Sequence, residues 1–351
     1  MNYRPLFTLL ILTYIVSMFN LVNAACYLNS NGDFTEKSDL DYWCWEKYGN
    51  GTNPGTLCWM STEQSAVVAQ IQTQKGKLSQ VFSVPSSGWY TAVAKVKTDI
   101  TDVNKQQKVY LYLQELDANT TVVATASQVL QPGGGFGEAY VWKQLQISFY
   151  THETILAVQV VGINICGVGT IAHLWMDAIW VYAGAPKATM QLGLNNSSFS
   201  SGTGWWDYQV YADGTGPGTW SICNWWYDFR KVLEGLQAGG EKGKISQLYS
   251  ASTENTIASV WVFSGASTMN TTQKIYLYIY SYDSGYTKII ESGNATLQAG
   301  KWAPGQWHQL QFGYFPSTEY NAVQIVAINP TGNPEQAIYF DNIKLWINEE
   351  Y

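Results

Sequence analysis

Two stretches of this chain carry tyrosine at every second position. Tyr276, Tyr278 and Tyr280 alternate with Ile275, Leu277 and Ile279, while Tyr110, Tyr112 and Gln114 alternate with Val109, Leu111 and Leu113. In an extended strand such residues share one side, spaced roughly 6–7 Å apart. Neighbouring alternating runs add amides: Gln144, Gln146 and Gln159 in the first half, Gln309, Gln311 and Gln324 in the second. Rings and amides together suit a sugar chain. Ring faces stack on the C–H faces of pyranoses, and amides both donate to and accept from hydroxyls. Trp225 and Trp226, next to Tyr227, would add a stacking platform. The competing reading is packing, because tyrosine is a good strand former and covers a sheet without binding anything.

Residues for catalysis are harder to find. His152, His173 and His308 show no ligand spacing, and no Gly-x-Ser-x-Gly or Cys/His arrangement is present. A glycosidase would need a carboxylate pair. Glu46 and Glu115 are the candidates, but Glu115 shares the parity of Leu111 and Leu113 and so points into the core. The expectation is a non-enzyme, with a polysaccharide-active enzyme as the lesser alternative.

Composition narrows the partners. Net charge is −7 with no basic run, which excludes a nucleic-acid backbone. Only 13% of residues are charged while 15% are aromatic, a balance that favours a neutral, hydroxyl-rich ligand. Residues 1–25 have the form of a secretory signal, with Arg4, an apolar stretch from Leu6 to Val22 and small residues at its end. Secretion or surface display is expected, with membrane contact only through an uncleaved leader. Cys44 and Cys58 flank the turn-rich segment from Tyr48 to Gly55, which suggests a disulfide across a hairpin. Cys26, Cys166 and Cys223 have no assignable partner.

The elements that must position these residues come in two copies. Gln107-Lys108-Val109-Tyr110-Leu111-Tyr112-Leu113 returns as Gln273-Lys274-Ile275-Tyr276-Leu277-Tyr278-Ile279, and Trp142-Lys143-Gln144-Leu145-Gln146 returns as Trp307-His308-Gln309-Leu310-Gln311. The copies are expected at 26–182 and 189–351, joined by a linker at 183–188, and a unit of that size can fold alone. Period-two runs separated by Gly- and Pro-rich turns, without helical periodicity after the leader, predict an all-β chain. The expected architecture is two tandem β-sandwich (jelly-roll) domains.

Each copy resembles the carbohydrate-binding modules of families four and nine. The resemblance rests on Asn31-Gly32-Asp33-Phe34, Trp43, Trp142-Lys143-Gln144-Leu145 and Met176-Asp177-Ala178-Ile179 in the first copy. In the second it rests on Asn196-Ser197-Ser198-Phe199, Trp206, Trp307-His308-Gln309-Leu310 and Phe340-Asp341-Asn342-Ile343. The family pattern has Gly where Ser197 stands and Asn where Ala178 stands. The resemblance implies a jelly roll with buried early tryptophans. It also implies a structural calcium at Asp177 and Asp341, assisted by the early turns, Asn31 and Asp33 in the first copy and Asn196 and Ser198 in the second. The function expected is non-catalytic binding of a polysaccharide or surface glycan. The rival is a structural surface-layer, filament or virion component that self-assembles through the same faces.

Overall fold

The computed structural model describes residues 28–99, 107–130, 139–165, 171–184, 190–192, 194, 198–199, 206–225, 231–250, 256–264, 274–297, 305–329 and 335–347. The leader, Cys26, Cys166, Ser197 and Trp226 lie outside these residues. The first copy forms β1 (Cys44–Lys47), β2 (Thr56–Met60), β3 (Ser65–Gln70), β4 (Lys75–Ser83), β5 (Gly88–Thr98), β6 (Gln107–Leu116), β7 (Val122–Leu130), β8 (Lys143–Thr151), β9 (Ile155–Asn164) and β10 (Ala172–Ala183). After the short β11 (Met190–Leu192), the second forms β12 (Asp207–Val210), β13 (Thr219–Asn224), β14 (Lys231–Gln237), β15 (Lys242–Ser250), β16 (Thr256–Ser264), β17 (Lys274–Tyr282), β18 (Ile289–Leu297), β19 (Trp307–Tyr314), β20 (Tyr320–Ile328) and β21 (Gln336–Ile347). Among the described residues the one helix is a 3-10 turn at Lys37–Tyr42. None is long and apolar enough to cross a membrane.

The chain is an all-β double sandwich, as the alternation predicts. The front sheet has the order β1-β4-β9-β6-β7-β18-β17-β20-β15-β12, and the back sheet β13-β14-β21-β16-β19-β8-β5-β10-β3-β2. Along these paths each copy gives five strands to each sheet, and β11 adds an eleventh strand to the back sheet by pairing with β21. Both sheets therefore run without a break from one copy into the other. The front-sheet join is long, with β7 and β18 paired over seven residues from Leu130–Glu291 to Ala124–Leu297. The back-sheet join is short, pairing β8 and β19 only at Phe149–Phe312, Ser148–Gly313 and Ile147–Tyr314.

Residue size explains the join. The core-facing side of the seam strands carries Ala124 and Ala126 on β7 and Gly293 and Ala295 on β18. Phe149, Phe312 and Tyr314 fill the space these small residues leave, and all three are buried. A Cβ on Gly293 would come within 2.6 Å of the Tyr314 ring, so the glycine is needed for close approach. One continuous core spans both copies, including Leu111, Leu113 and Ile147 of the first with Leu277, Ile279 and Phe312 of the second. Phe34 packs on Trp43 at 5.7 Å, and Phe199 on Trp206 at the same distance. Both early tryptophans are buried, as the resemblance implies.

The hairpin disulfide is not formed. β1 pairs with β4 in the front sheet, whereas β2 pairs with β3 in the back sheet. The segment between them carries the chain from one sheet to the other instead of turning it back. Cys44 and Cys58 are exposed free thiols on opposite sheets, and Cys223 is a half-buried free thiol.

Asp177-Ala178 and Asp341-Asn342 each mark a β-bulge. Pairing of β10 with β5 slips between Asp177 and Trp180, and pairing of β21 with β16 slips at the equivalent place. The residue after each aspartate is left-handed: Ala178 at φ 49° and Asn342 at φ 55°. Asparagine tolerates that region, but alanine's Cβ is strained there by about 1–2 kcal/mol. Ala178→Gly should therefore stabilise the protein by about 1 kcal/mol, roughly 1–2 °C in the melt of a cooperative unit of this size. An unchanged or lower melting temperature would show that no strain is stored at the bulge.

Candidate functional site

The tyrosine ladders meet on one face. Tyr110 and Tyr112 stand on the outer side of β6, and Tyr276, Tyr278 and Tyr280 on the outer side of β17, with only β7 and β18 between them. Register places the residues in rungs. One runs Gln159, Tyr112, Ser127, Asn294, Tyr278, Gln324 across six strands. The rungs beside it run Tyr110, Val129, Ser292, Tyr280 and Gln114, Thr125, Thr296, Tyr276. Two walls of tyrosine thus flank a floor of small residues centred on the seam.

The rings within each wall lie nearly parallel. Tyr110 stacks on Tyr112 at 5.4 Å and 6°, Tyr276 on Tyr278 at 5.5 Å and 14°, and Tyr278 on Tyr280 at 5.0 Å and 17°. Each wall is braced by a ring from a turn. Tyr48 Oη lies 3.0 Å from Tyr112 Oη, and Tyr211 Oη lies 3.2 Å from Tyr278 Oη, with interplanar angles of 30° in both pairs. The floor residues Thr125, Ser127, Ser292 and Thr296 are buried although they point outward. Burial first, and then neighbouring phenols that include those of the second copy, raise the pKa values in the first wall: Tyr211 adds to the shift of Tyr110 and Tyr276 to that of Tyr112.

Burial is the main cause of every shift in the walls. It pushes Tyr110 and Tyr276 up to about 12 and holds Tyr112, Tyr278 and Tyr280 well above the ordinary phenol value. These phenols stay protonated at physiological pH, so each can donate as well as accept. Lysines border the face in both copies: Lys108 Nζ lies 5.2 Å from the centre of the Tyr110 ring, and Lys274 takes the equivalent place on β17, on the same side as Tyr276.

The structure gathers part of the expected site and disperses the rest. Gln114 and Gln159 join the ladders, with Gln159 Nε2 donating to Gln114 Oε1 at 2.6 Å. Gln324 lies on the same rung but is only 5% exposed. Gln144, Gln146, Gln309 and Gln311 belong to β8 and β19, and therefore to the back sheet. There Gln144 Nε2 donates to Gln146 Oε1 at 3.1 Å. Trp225 is no open platform: its ring is 6% exposed and packs against Phe263, Trp307 and Tyr339 at 4.8, 5.0 and 5.3 Å. Tyr48 and Tyr211 were not expected. They sit in turns without periodicity, though Tyr48-Gly49-Asn50-Gly51 does return as Tyr211-Ala212-Asp213-Gly214.

No protein-family model matches the chain, and no curated protein matches it. Solved structures resemble it loosely. TmCBM61 in complex with β-1,4-galactotriose is 12% identical with a TM-score of 0.33, covering 44% of this chain and 97% of its own. The tandem CBM22-1–CBM22-2 domain of Xyn10C from Paenibacillus barcinonensis is 13% identical with a TM-score of 0.30, covering 87% and 93%. The families named there are 61 and 22 rather than four and nine. At such scores the function has to be argued from the residues themselves.

Asp177 and Asp341, the expected calcium positions, both stand at β-bulges. A calcium ion takes six to eight oxygens. Asp177 accepts from the Ala178 N–H at 2.7 Å, and both burial and Asp33 raise its pKa. Asn31 is committed elsewhere, its side chain donating to Asp39 and its carbonyl accepting from Trp43 Nε1. Asp341 is buried in the equivalent bulge. Among the described residues no group of three or more His, Cys, Asp or Glu is placed to hold a metal.

Proposed function

We propose that the chain binds a neutral polysaccharide or surface glycan outside the cell, without cleaving it, on one front-sheet face that both copies build. The observation that carries this reading is the pair of parallel tyrosine walls on either side of the seam. Three features support it. Half-buried rings offer apolar faces with little rotamer freedom left to lose. The protonated phenols offer O–H groups for sugar hydroxyls. The ladder rungs themselves carry amides and hydroxyls but no carboxylate.

A glycan array probed with the full chain tests the reading. Binding to at least one uncharged polysaccharide is expected, and a blank array across neutral glycans would contradict it. Retention should also be flat from pH 5 to 9, because no wall residue titrates there. Above pH 10 the fold should weaken: the raised phenol pKa values contribute stability that is intact below the unfolded value of about 10 and is lost as pH rises through the folded values. A retention profile that falls by half within pH 5–9 would place an ionising group in the site.

The self-assembly reading has one observation in its favour. Val81 and Leu248 occupy equivalent places on the same face and are 55% and 60% exposed. Light scattering on the eluted protein separates the two: a monomer that binds glycan supports the first, and self-assembly without glycan binding supports the second.

A further inference from the structure

Where the back-sheet join ends, β8 and β19 part and leave an opening between the sheets. A pocket of about 250 Å³ fills it, lined by both copies. Its lining includes Val123 and Phe149 of the first copy with Leu297 and Leu310 of the second, and Glu115. That carboxylate is 2% exposed. Its Oε1 accepts the backbone N–H groups of His152 and Glu153 at 2.8 and 2.7 Å, while Oε2 has no partner among the described residues.

The second copy shows how the same corner is closed. There Glu291 takes over the turn, accepting from the Ser317 N–H, the equivalent of His152. Tyr314 stands where the first copy has Phe149. Its hydroxyl lies 3.0 Å from Ser281 Oγ, and burial together with the nearby Glu291 carboxylate holds its pKa well above the ordinary phenol value. The first copy lacks that hydroxyl, and its acid is left with an open oxygen facing a cavity.

We propose that this pocket binds a small organic ammonium ion, its N–H donors on Glu115 Oε2 and its hydrocarbon body against the apolar walls. The volume suits roughly eight non-hydrogen atoms at about 30 Å³ each. A buried carboxylate with an unused oxygen calls for a partner that supplies both a donor and a positive charge. The aromatic residues Phe149 and Tyr150 in the lining favour a cation as well. A sugar suits the pocket poorly, because most of its hydroxyls would face hydrocarbon. Glu153 and His308 also line the pocket, and His152 Nδ1 lies 4.0 Å from Glu115 Oε1 on a side chain that is 66% exposed.

The test compares cyclohexylmethylamine with cyclohexylmethanol, matched in size, by thermal shift and calorimetry on the full chain. The amine should raise the melting temperature by about 3 °C near saturation, and the alcohol by less than a third of that. Glu115→Gln keeps an acceptor for the turn and should abolish the amine's effect. Phe149→Tyr, which copies the second half of the molecule, should abolish it independently by giving Oε2 a hydroxyl partner. The proposal fails if the amine gives no shift, if the alcohol matches it, or if the shift survives in either folded variant. Glycan retention should be unchanged in both, since neither residue touches the tyrosine walls.

Discussion

Cut within residues 183–188 and expressed as two halves, the chain is expected to lose its fold in both. Each half would expose a full seam strand, β7 or β18, whose seven rungs have no other partner on that side. Each would also uncover large side chains that pack under the seam. Phe149 and Leu130 belong to one half, and Phe312, Tyr314 and Leu297 to the other; all are buried in the whole chain. At about 1.5–3 kcal/mol per large apolar side chain, each half forgoes roughly 3–9 kcal/mol of burial. That is comparable with the entire 5–15 kcal/mol stability of a typical domain. The halves should give unfolded or aggregated material by circular dichroism, and the whole chain should melt in one transition. Two soluble halves with native spectra, or two separate transitions in the whole chain, would contradict a shared core.

Alanine at Tyr276, Tyr278 and Tyr280 together should abolish retention in a polysaccharide gel while leaving the protein folded. The three rings form one stack, and Tyr278 also anchors Tyr211. Losing three stacking faces removes roughly 2–4 kcal/mol beyond area burial, about 30- to 1,000-fold in affinity, which is enough to erase binding of ordinary strength. The fold should persist because the alternate residues Ile275, Leu277 and Ile279 carry the core. Unchanged retention would remove the ladder as a site.

Alternation made the parity of each strand legible. It placed Tyr276 outward and Ile275 inward, and it sent Glu115 to the core side, where the structure buries it. It could not say which strands are neighbours. A period of two assigns a residue to a face of its own strand, and the choice of sheet depends on contacts far along the chain. That is why Gln309 and Gln146 were grouped with tyrosines that lie on the other sheet. The same limit applies to Cys44 and Cys58, because a turn-rich segment looks alike whether it closes a hairpin or crosses between sheets. The seam was written in small residues, Ala124, Ala126, Gly293 and Ala295, whose meaning depends on what packs over them. Residue-by-residue alignment also hid a shared device. Glu115 aligns with Ser281, yet its turn-holding role passes to Glu291, the residue paired with Ser281 on the next strand.

The central claim is that two sequence copies make one glycan face. Calorimetric titration of the full chain with a neutral oligosaccharide taken from the array tests it directly, comparing the wild type with Tyr112→Ala in the first copy and Tyr278→Ala in the second. One equivalent per chain, with binding weakened at least tenfold by either substitution, is the predicted result. Two equivalents, or one substitution leaving an undisturbed site in the other copy, would contradict it.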